Sequence, residues 1–73
     1  MSRGGSSLEI LGYNVRNTRK KRGLTQERLS ELCDLDPTYI SMIERGKRNP
    51  SFTTLATLAK NLGCPLSDLT RGI

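Results

Sequence analysis

The sequence contains no histidine and no tryptophan, and its only cysteines are Cys33 and Cys64. Without histidine the chain lacks the usual general base at neutral pH, so it cannot form a Ser/His or Cys/His nucleophile. Two thiols without histidine are also too few for a disulfide framework or a cysteine-rich zinc site. We therefore expect two reduced core thiols, no metal, no cofactor and no enzymatic activity.

Long apolar segments are also missing. No run approaches the roughly 18 residues of a membrane-spanning helix, and residues 1–12 contain no apolar stretch that could act as a signal peptide. These absences predict a cytoplasmic protein without a membrane partner. The 73 residues, 34% of them hydrophobic, fit one small domain, because so small a core cannot be divided and still outweigh chain entropy. The small, polar residues 1–7 predict a flexible tail before a folded domain at residues 8–73.

Positive charge exceeds negative charge: 12 Lys and Arg against 7 Asp and Glu give a net charge of +5. The excess forms two clusters, net +5 over residues 13–28 and net +2 over residues 44–49, with net −3 over residues 29–43 between them. A charge run alone is usually a solvated helix face, so the second cluster adds weight to the first. The distribution favours a polyanionic partner, with nucleic acid as the first expectation.

Apolar residues recur at helical spacing, and no alternation of useful length predicts a strand. We expect an all-α fold of five helices at residues 8–22, 26–33, 37–45 and 52–62 and in a short segment after Pro65. Their predicted N-caps include Thr25, Asp36 and Ser51. Glycine ends three of them, at Gly23, Gly46 and Gly63. The expected inward residues are Leu8, Leu11, Val15, Leu29, Leu32, Cys33, Ile40, Ile43, Leu55, Leu58, Ala59 and Leu62.

Only about three residues join the second and third predicted helices, which indicates a helix-turn-helix at about residues 25–45. Here the sequence resembles the XRE family of lambda repressor and Cro-like regulators, from Leu11 to Leu69. The resemblance rests on Leu11-Gly12 with Val15-Arg16 and Arg19, on 23-GLTQERLSEL-32, on 39-YISMIERGKRNPS-51, and on Leu55, Leu58-Ala59 and Leu62-Gly63. Within the family, 36-DPTYISMIERGKRN-49 looks most like the controller proteins of restriction-modification systems.

The resemblance implies a five-helix lambda-repressor-like domain that binds double-stranded DNA. Gln26, at the start of the second helix, matches a glutamine that meets a DNA phosphate. The positions that match the groove-facing side of the recognition helix are Pro37, Thr38, Tyr39, Ser41 and Met42. Those that match the loop clamping the sugar-phosphate backbone are Arg45, Lys47, Arg48 and Asn49. Thr38 and Tyr39 can contact base edges, whereas Pro37 and Met42 offer only apolar contact. Core positions for Tyr39 and Met42 remain an alternative.

Arg19 and Glu44 match an ion pair that ties the first helix to the end of the recognition helix in this family. The sequence departs from the family pattern at three positions. Asp34 stands where the turn usually has glycine, Ser30 where alanine is usual, and Pro37 where a polar base reader is often found. Asp34 tolerates a left-handed backbone and Ser30 is nearly as small as alanine, so Pro37 is the departure that affects base recognition.

We therefore expect a sequence-specific transcriptional regulator, repressor or activator, that binds a palindromic operator as a homodimer. The apolar candidates for a dimer contact in the C-terminal third are Phe52, Leu62, Leu66, Leu69 and Ile73, some of which must instead complete the core. One alternative is a protein-interaction module such as an antitoxin or anti-regulator. Another is nonspecific binding of RNA or a membrane surface by residues 13–28. No small-molecule ligand is evident.

Overall fold

The computed structural model describes residues 6–73, and over this part of the chain it contains five α-helices and no strand. The predicted all-α class is confirmed. The helices are α1 (Ser7–Lys21), α2 (Gln26–Cys33), α3 (Pro37–Glu44), α4 (Phe52–Leu62) and α5 (Leu66–Leu69). The third helix packs against both α1 and α2, while α4 packs against α2 and α5. Because α3 packs against both α1 and α2, these two helices determine its orientation.

The first helix begins earlier than predicted because Ser6 and Glu9 cap it reciprocally. The Ser6 hydroxyl accepts a hydrogen bond from the backbone N–H of Glu9 at 3.2 Å, and the Glu9 carboxylate accepts one from the backbone N–H of Ser6 at 3.0 Å. This exchange satisfies two amides that a helix start leaves free. The predicted tail is therefore wrong for Ser6 and Ser7, whose composition concealed a Ser-x-x-Glu cap. Residues 1–5 of that tail lie outside the described residues.

The turn between α2 and α3 forms as its residues predict. Asp34 adopts the left-handed conformation, with φ 56° and ψ 46°, and ends α2. Asp36 then caps α3, because its side chain accepts a hydrogen bond from the backbone N–H of Thr38 at 2.8 Å. Pro37 follows as the first residue of α3, where its missing N–H costs no helical hydrogen bond. The short turn thus fixes where α3 begins.

Over residues 6–73, the core contains ten buried apolar residues drawn from all five helices. They are Leu11, Val15, Leu29, Cys33, Ile40, Ile43, Leu58, Ala59, Leu62 and Leu69. The inward assignment of Leu32 is wrong, since this residue is 40% exposed. The buried face of α2 is instead formed by Leu29, Ser30 and Cys33, and the Ser30 hydroxyl donates to the Glu27 carbonyl at 2.7 Å. Leu8 and Leu55 pack against the core while partly buried.

Both cysteines are free thiols, but only Cys33 lies in the core. Cys64 is half-buried after the end of α4, so its expected core position is only partly correct. Burial is the main cause that raises the pKa of both thiols. A raised pKa disfavours the thiolate, which is the reactive form. Neither cysteine therefore has the character of an activated nucleophile.

The contact between α1 and α3 depends on Gly12. A Cβ atom at this position would overlap the backbone carbonyl oxygens of Ile43 and Glu44. The backbone of α1 therefore lies directly against the C-terminal end of α3, closer than any other residue type would permit.

We expect Gly12→Ala to destabilise the domain by about 1–3 kcal/mol, because the added methyl group must displace backbone at a tight contact. Alanine has a higher helix propensity than glycine, so a loss of stability in this variant must come from the packing contact. Asn17→Ala, at an exposed position of the same helix, is the matched control and should leave stability nearly unchanged. Thermal unfolding followed by circular dichroism measures both, and equal midpoints for the two variants would contradict the prediction.

Candidate nucleic-acid interface

The third helix buries one face and presents the other to solvent. Ile40 and Ile43 are fully buried, and they hold the helix against the bundle. The residues of α3 and its C-cap outside this buried face include Pro37, Thr38 and Arg45, which are exposed, and Ser41 and Met42, which are half-buried. An exposed helical face of this kind has the dimensions that the major groove of B-DNA admits.

Tyr39 and Met42 lie between the two alternatives that the sequence left open. Tyr39 is half-buried and packs against the hydrophobic core, so part of its side chain has a structural role. Met42 is also half-buried, and its sulfur accepts a hydrogen bond from Nε of Arg48 at 3.4 Å. Both side chains therefore keep a part that is accessible to solvent.

A basic loop follows α3 directly. Gly46 takes a positive φ of 73°, and the backbone N–H of Lys47 donates to the Met42 carbonyl at 2.8 Å. This turn holds the loop close to the last turn of α3, and buried Pro50 anchors its far end. The exposed side chains that result are Arg45, Lys47, Arg48 and Asn49. Their charge and exposure suit contact with a phosphate backbone.

A buried ion pair connects α1 to α3. Arg19 donates from Nε to Oε2 of Glu44 at 2.7 Å and from Nη2 to Oε1 at 3.0 Å. The two side chains are only 9% and 2% exposed, respectively. Arg19 also donates from Nη1 to the Leu24 carbonyl at 2.7 Å, which links the pair to the segment before α2. The pair implied by the family resemblance is thus present and bidentate, the geometry in which Arg and carboxylate interact most strongly.

Gln26 joins the same network from the start of α2. Its Nε2 donates to Oε1 of Glu44 at 3.0 Å, so a single carboxylate connects three helices. The side-chain amide has two hydrogens, and the contact with Glu44 uses only one of them. Over residues 6–73, the second hydrogen has no hydrogen-bond acceptor.

A cleft of about 220 Å³ opens beside this network. It is lined by Arg16, Arg19, Gln26, Ser41, Glu44 and Arg45, and so brings together the predicted site residues Gln26, Ser41 and Arg45. The remaining predicted residues of α3 and the basic loop do not line it. Arg16 was not among the predicted site residues, although its spacing four residues after Gly12 and three before Arg19 places all three on one face of α1.

The helix-turn-helix family (HTH_3) matches residues 15–69 of this sequence. The chain belongs to that family, which agrees with the resemblance found in the sequence. A relative, control protein C.SmaI of Serratia marcescens, is 44% identical over 61 residues that cover 84% of this chain and 73% of the relative.

Over residues 6–73, no helix combines the length and the apolar character needed to cross a membrane.

Two solved structures of restriction-modification controller proteins share the fold. C.AhdI from Aeromonas hydrophila superposes with a TM-score of 0.83 at 37% identity, covering 85% of this chain and 94% of its own. The C.Esp1396I tetramer, solved in complex with its natural 35 base-pair operator, gives a TM-score of 0.77 at 34% identity, with 84% of this chain and 80% of its own covered. The sequence resemblance to controller proteins is confirmed.

We expect Arg19→Ala to destabilise the domain by about 3–5 kcal/mol, because it leaves the buried carboxylate of Glu44 without its cation. Arg22→Ala is the matched control on α1. Its side chain is exposed and donates to the Gly63 carbonyl at 3.1 Å, and the loss of this one contact predicts a destabilisation of about 1 kcal/mol or less. Urea unfolding followed by circular dichroism gives both values, and equal losses would show that the buried pair has no special role.

Proposed function

We propose that this chain is a cytoplasmic transcriptional regulator that binds a specific double-stranded DNA operator and inserts α3 into the major groove. The observation that carries the proposal is the exposed face of α3, bordered by the basic loop at its C-terminal end and by the cleft beside α1 and α2. The named relatives that are controller proteins of restriction-modification systems support this class. The proposal assigns no catalytic activity to the chain.

Residues at the N-terminal end of α3 read the bases in this proposal. Thr38 is exposed there and can hydrogen-bond a base or pack its methyl group on thymine. Tyr39, Ser41 and Met42 extend the same face. Pro37 cannot hydrogen-bond a base, so recognition depends more on Thr38, on Tyr39 and on DNA shape.

Phosphate contacts position the domain and supply most of its affinity. The basic loop provides Arg45, Lys47, Arg48 and Asn49, all exposed. Gln26 contributes the amide hydrogen that Glu44 leaves free. Contacts of this kind bind every DNA sequence equally well, so the loop and Gln26 fix the register in which α3 meets the bases.

One domain of this size makes few base contacts, and we propose that it binds as a homodimer through its C-terminal third. Two of the predicted contact residues, Leu62 and Leu69, are buried in the core, and Leu66 packs partly against it. Phe52 and Ile73 remain, with exposures of 70% and 58%. The tetrameric assembly of the related C.Esp1396I on its operator supports association of such domains on DNA.

Selection from random duplexes should yield a palindrome that the protein binds about 10³-fold or more tightly than scrambled DNA. The centres of the two half-sites should be separated by about 34–36 Å, which is one helical turn of DNA, or by a multiple of that distance. Within that site, Thr38→Ala should reduce discrimination at one base pair of each half-site by about 1 kcal/mol. Fluorescence anisotropy with single base-pair variants of the selected duplex measures this change.

Lys47→Gln is the matched control for Thr38→Ala, since Lys47 is exposed in the basic loop. It should weaken binding to the palindrome and to scrambled DNA by the same factor. Weak, salt-sensitive binding by the wild-type protein without any sequence preference would contradict the proposed function. A protein-interaction module would then be the better explanation, and a protein partner should be sought.

Phe52→Glu should shift the protein from dimer to monomer at tens of micromolar in sedimentation-velocity experiments, because a buried unpaired charge opposes association. Tyr13→Glu is the control, since Tyr13 is also a strongly exposed aromatic residue but lies on α1, outside the C-terminal third. A wild-type protein that sediments only as a monomer at this concentration would refute the dimer.

A further inference from the structure

The position of Arg16 on α1 differs from that of a side chain that contacts only solvent. It is exposed, yet it lines the cleft together with Gln26, Ser41 and Arg45. It shares a face of α1 with Gly12, whose missing side chain lets the helix backbone touch the end of α3. The close approach at Gly12 therefore brings Arg16 to the edge of the proposed DNA-binding face.

The charges around the cleft are strongly unbalanced. Arg19 and Glu44 pair with each other inside it and contribute no net charge. Within residues 6–73, the side chains of Arg16 and Arg45 have neither a hydrogen-bond partner nor an ion pair. Two uncompensated guanidinium groups, supplied by α1 and by the end of α3, thus border the same opening. Such an arrangement attracts an anion.

We propose that Arg16 and Arg45 bind one backbone phosphate of the DNA at the mouth of this cleft. The proposal rests on the proposed function and deepens it, because it adds α1 to the helix-turn-helix as a DNA-contacting element. Guanidinium groups present planar pairs of donors that match phosphate oxygens. Ser41 and Gln26 line the same cleft, and their side chains offer uncharged donors beside the two cations.

A phosphate held in this position would fix more than affinity. Arg16 belongs to the helix whose backbone rests on α3 at Gly12, and Arg45 follows α3 directly. A single phosphate bound between them therefore connects both helices to one DNA strand. The insertion angle of α3 is then set by contacts on two sides of the recognition helix.

The first test is the salt dependence of operator binding by Arg16→Gln. The slope of log K against log salt should fall in magnitude, by at most about 0.9 for each protomer, because Arg45 remains on the phosphate that Arg16 loses. The loss of affinity should be larger on the selected palindrome than on scrambled DNA, because the contact also sets the angle at which α3 meets the bases. Arg16→Lys should keep the slope, because lysine preserves the charge, while binding less tightly than arginine.

Lys21→Gln is the matched control for Arg16→Gln. It removes one positive charge from the same helix at an exposed position that lies five residues further on and does not line the cleft. Its salt slope should equal that of the wild-type protein. Circular dichroism melts of all the variants verify that each protein remains folded.

A second test locates the phosphate. Duplexes of the selected site, each with one backbone phosphate replaced by an uncharged methylphosphonate, are measured with the wild-type protein and with Arg16→Gln. In each half-site, one replacement should weaken binding by the wild-type protein severalfold and weaken Arg16→Gln by a clearly smaller factor, because only Arg45 still contacts that phosphate in the variant; such coupling is what a double-mutant cycle shows for two groups in contact. Arg45→Gln should show the same coupling to the same phosphate.

Three outcomes would overturn the proposal. Arg16→Gln could show the salt slope of Lys21→Gln, or every methylphosphonate could weaken Arg16→Gln as much as the wild-type protein. With specific binding by the wild-type protein intact, either result refutes the role of Arg16 and leaves the proposed function standing. If the wild-type protein selects no site at all, the proposed function fails and the phosphate site with it.

Discussion

The carboxylate of Glu44 imposes the constraint on which the arrangement of the first three helices depends. Its side chain is only 2% exposed, and a buried carboxylate is unfavourable unless charges and donors compensate it. Arg19 supplies two hydrogen bonds and Gln26 a third. All three meet only when α1, α2 and α3 adopt one mutual orientation. The interaction therefore specifies how α3 is held more than it adds net stability.

Most of the fold follows from interactions that span three or four residues, and these could be predicted. The cap at Asp36 and the left-handed turn at Asp34 are determined by these two residues themselves. The Asp36 side chain accepts a hydrogen bond from a free backbone N–H at the start of α3, and Asp34 tolerates the left-handed conformation that ends α2. Two of the errors were local as well. The cap formed by Ser6 and Glu9 was hidden in a polar segment, and Leu32 was assigned to a buried face that in α2 centres on Leu29 and Cys33.

The candidate site was only partly predictable, since its geometry depends on contacts between distant segments. Family resemblance indicated the residues of α3 and the loop, and it indicated the pairing of Arg19 with Glu44. It gave no sign that Gln26 would bond Glu44, 18 residues away in sequence. Arg16 enters the cleft only because Gly12 admits the end of α3, and a close approach between two helix backbones has no local signature.

Pro37 shows why these nonlocal contacts matter for the proposed function. It is well suited to begin α3 but offers a base no hydrogen bond, so the recognition helix has fewer polar readers than its length allows. A short reading surface discriminates only when it meets the bases in one fixed register. The network around Glu44 fixes α3 within the protein, and the basic loop with Arg16 would fix the protein on the phosphates. The fixed orientation of α3 on the DNA thus provides selectivity that Pro37, the first residue of α3, does not provide through hydrogen bonds.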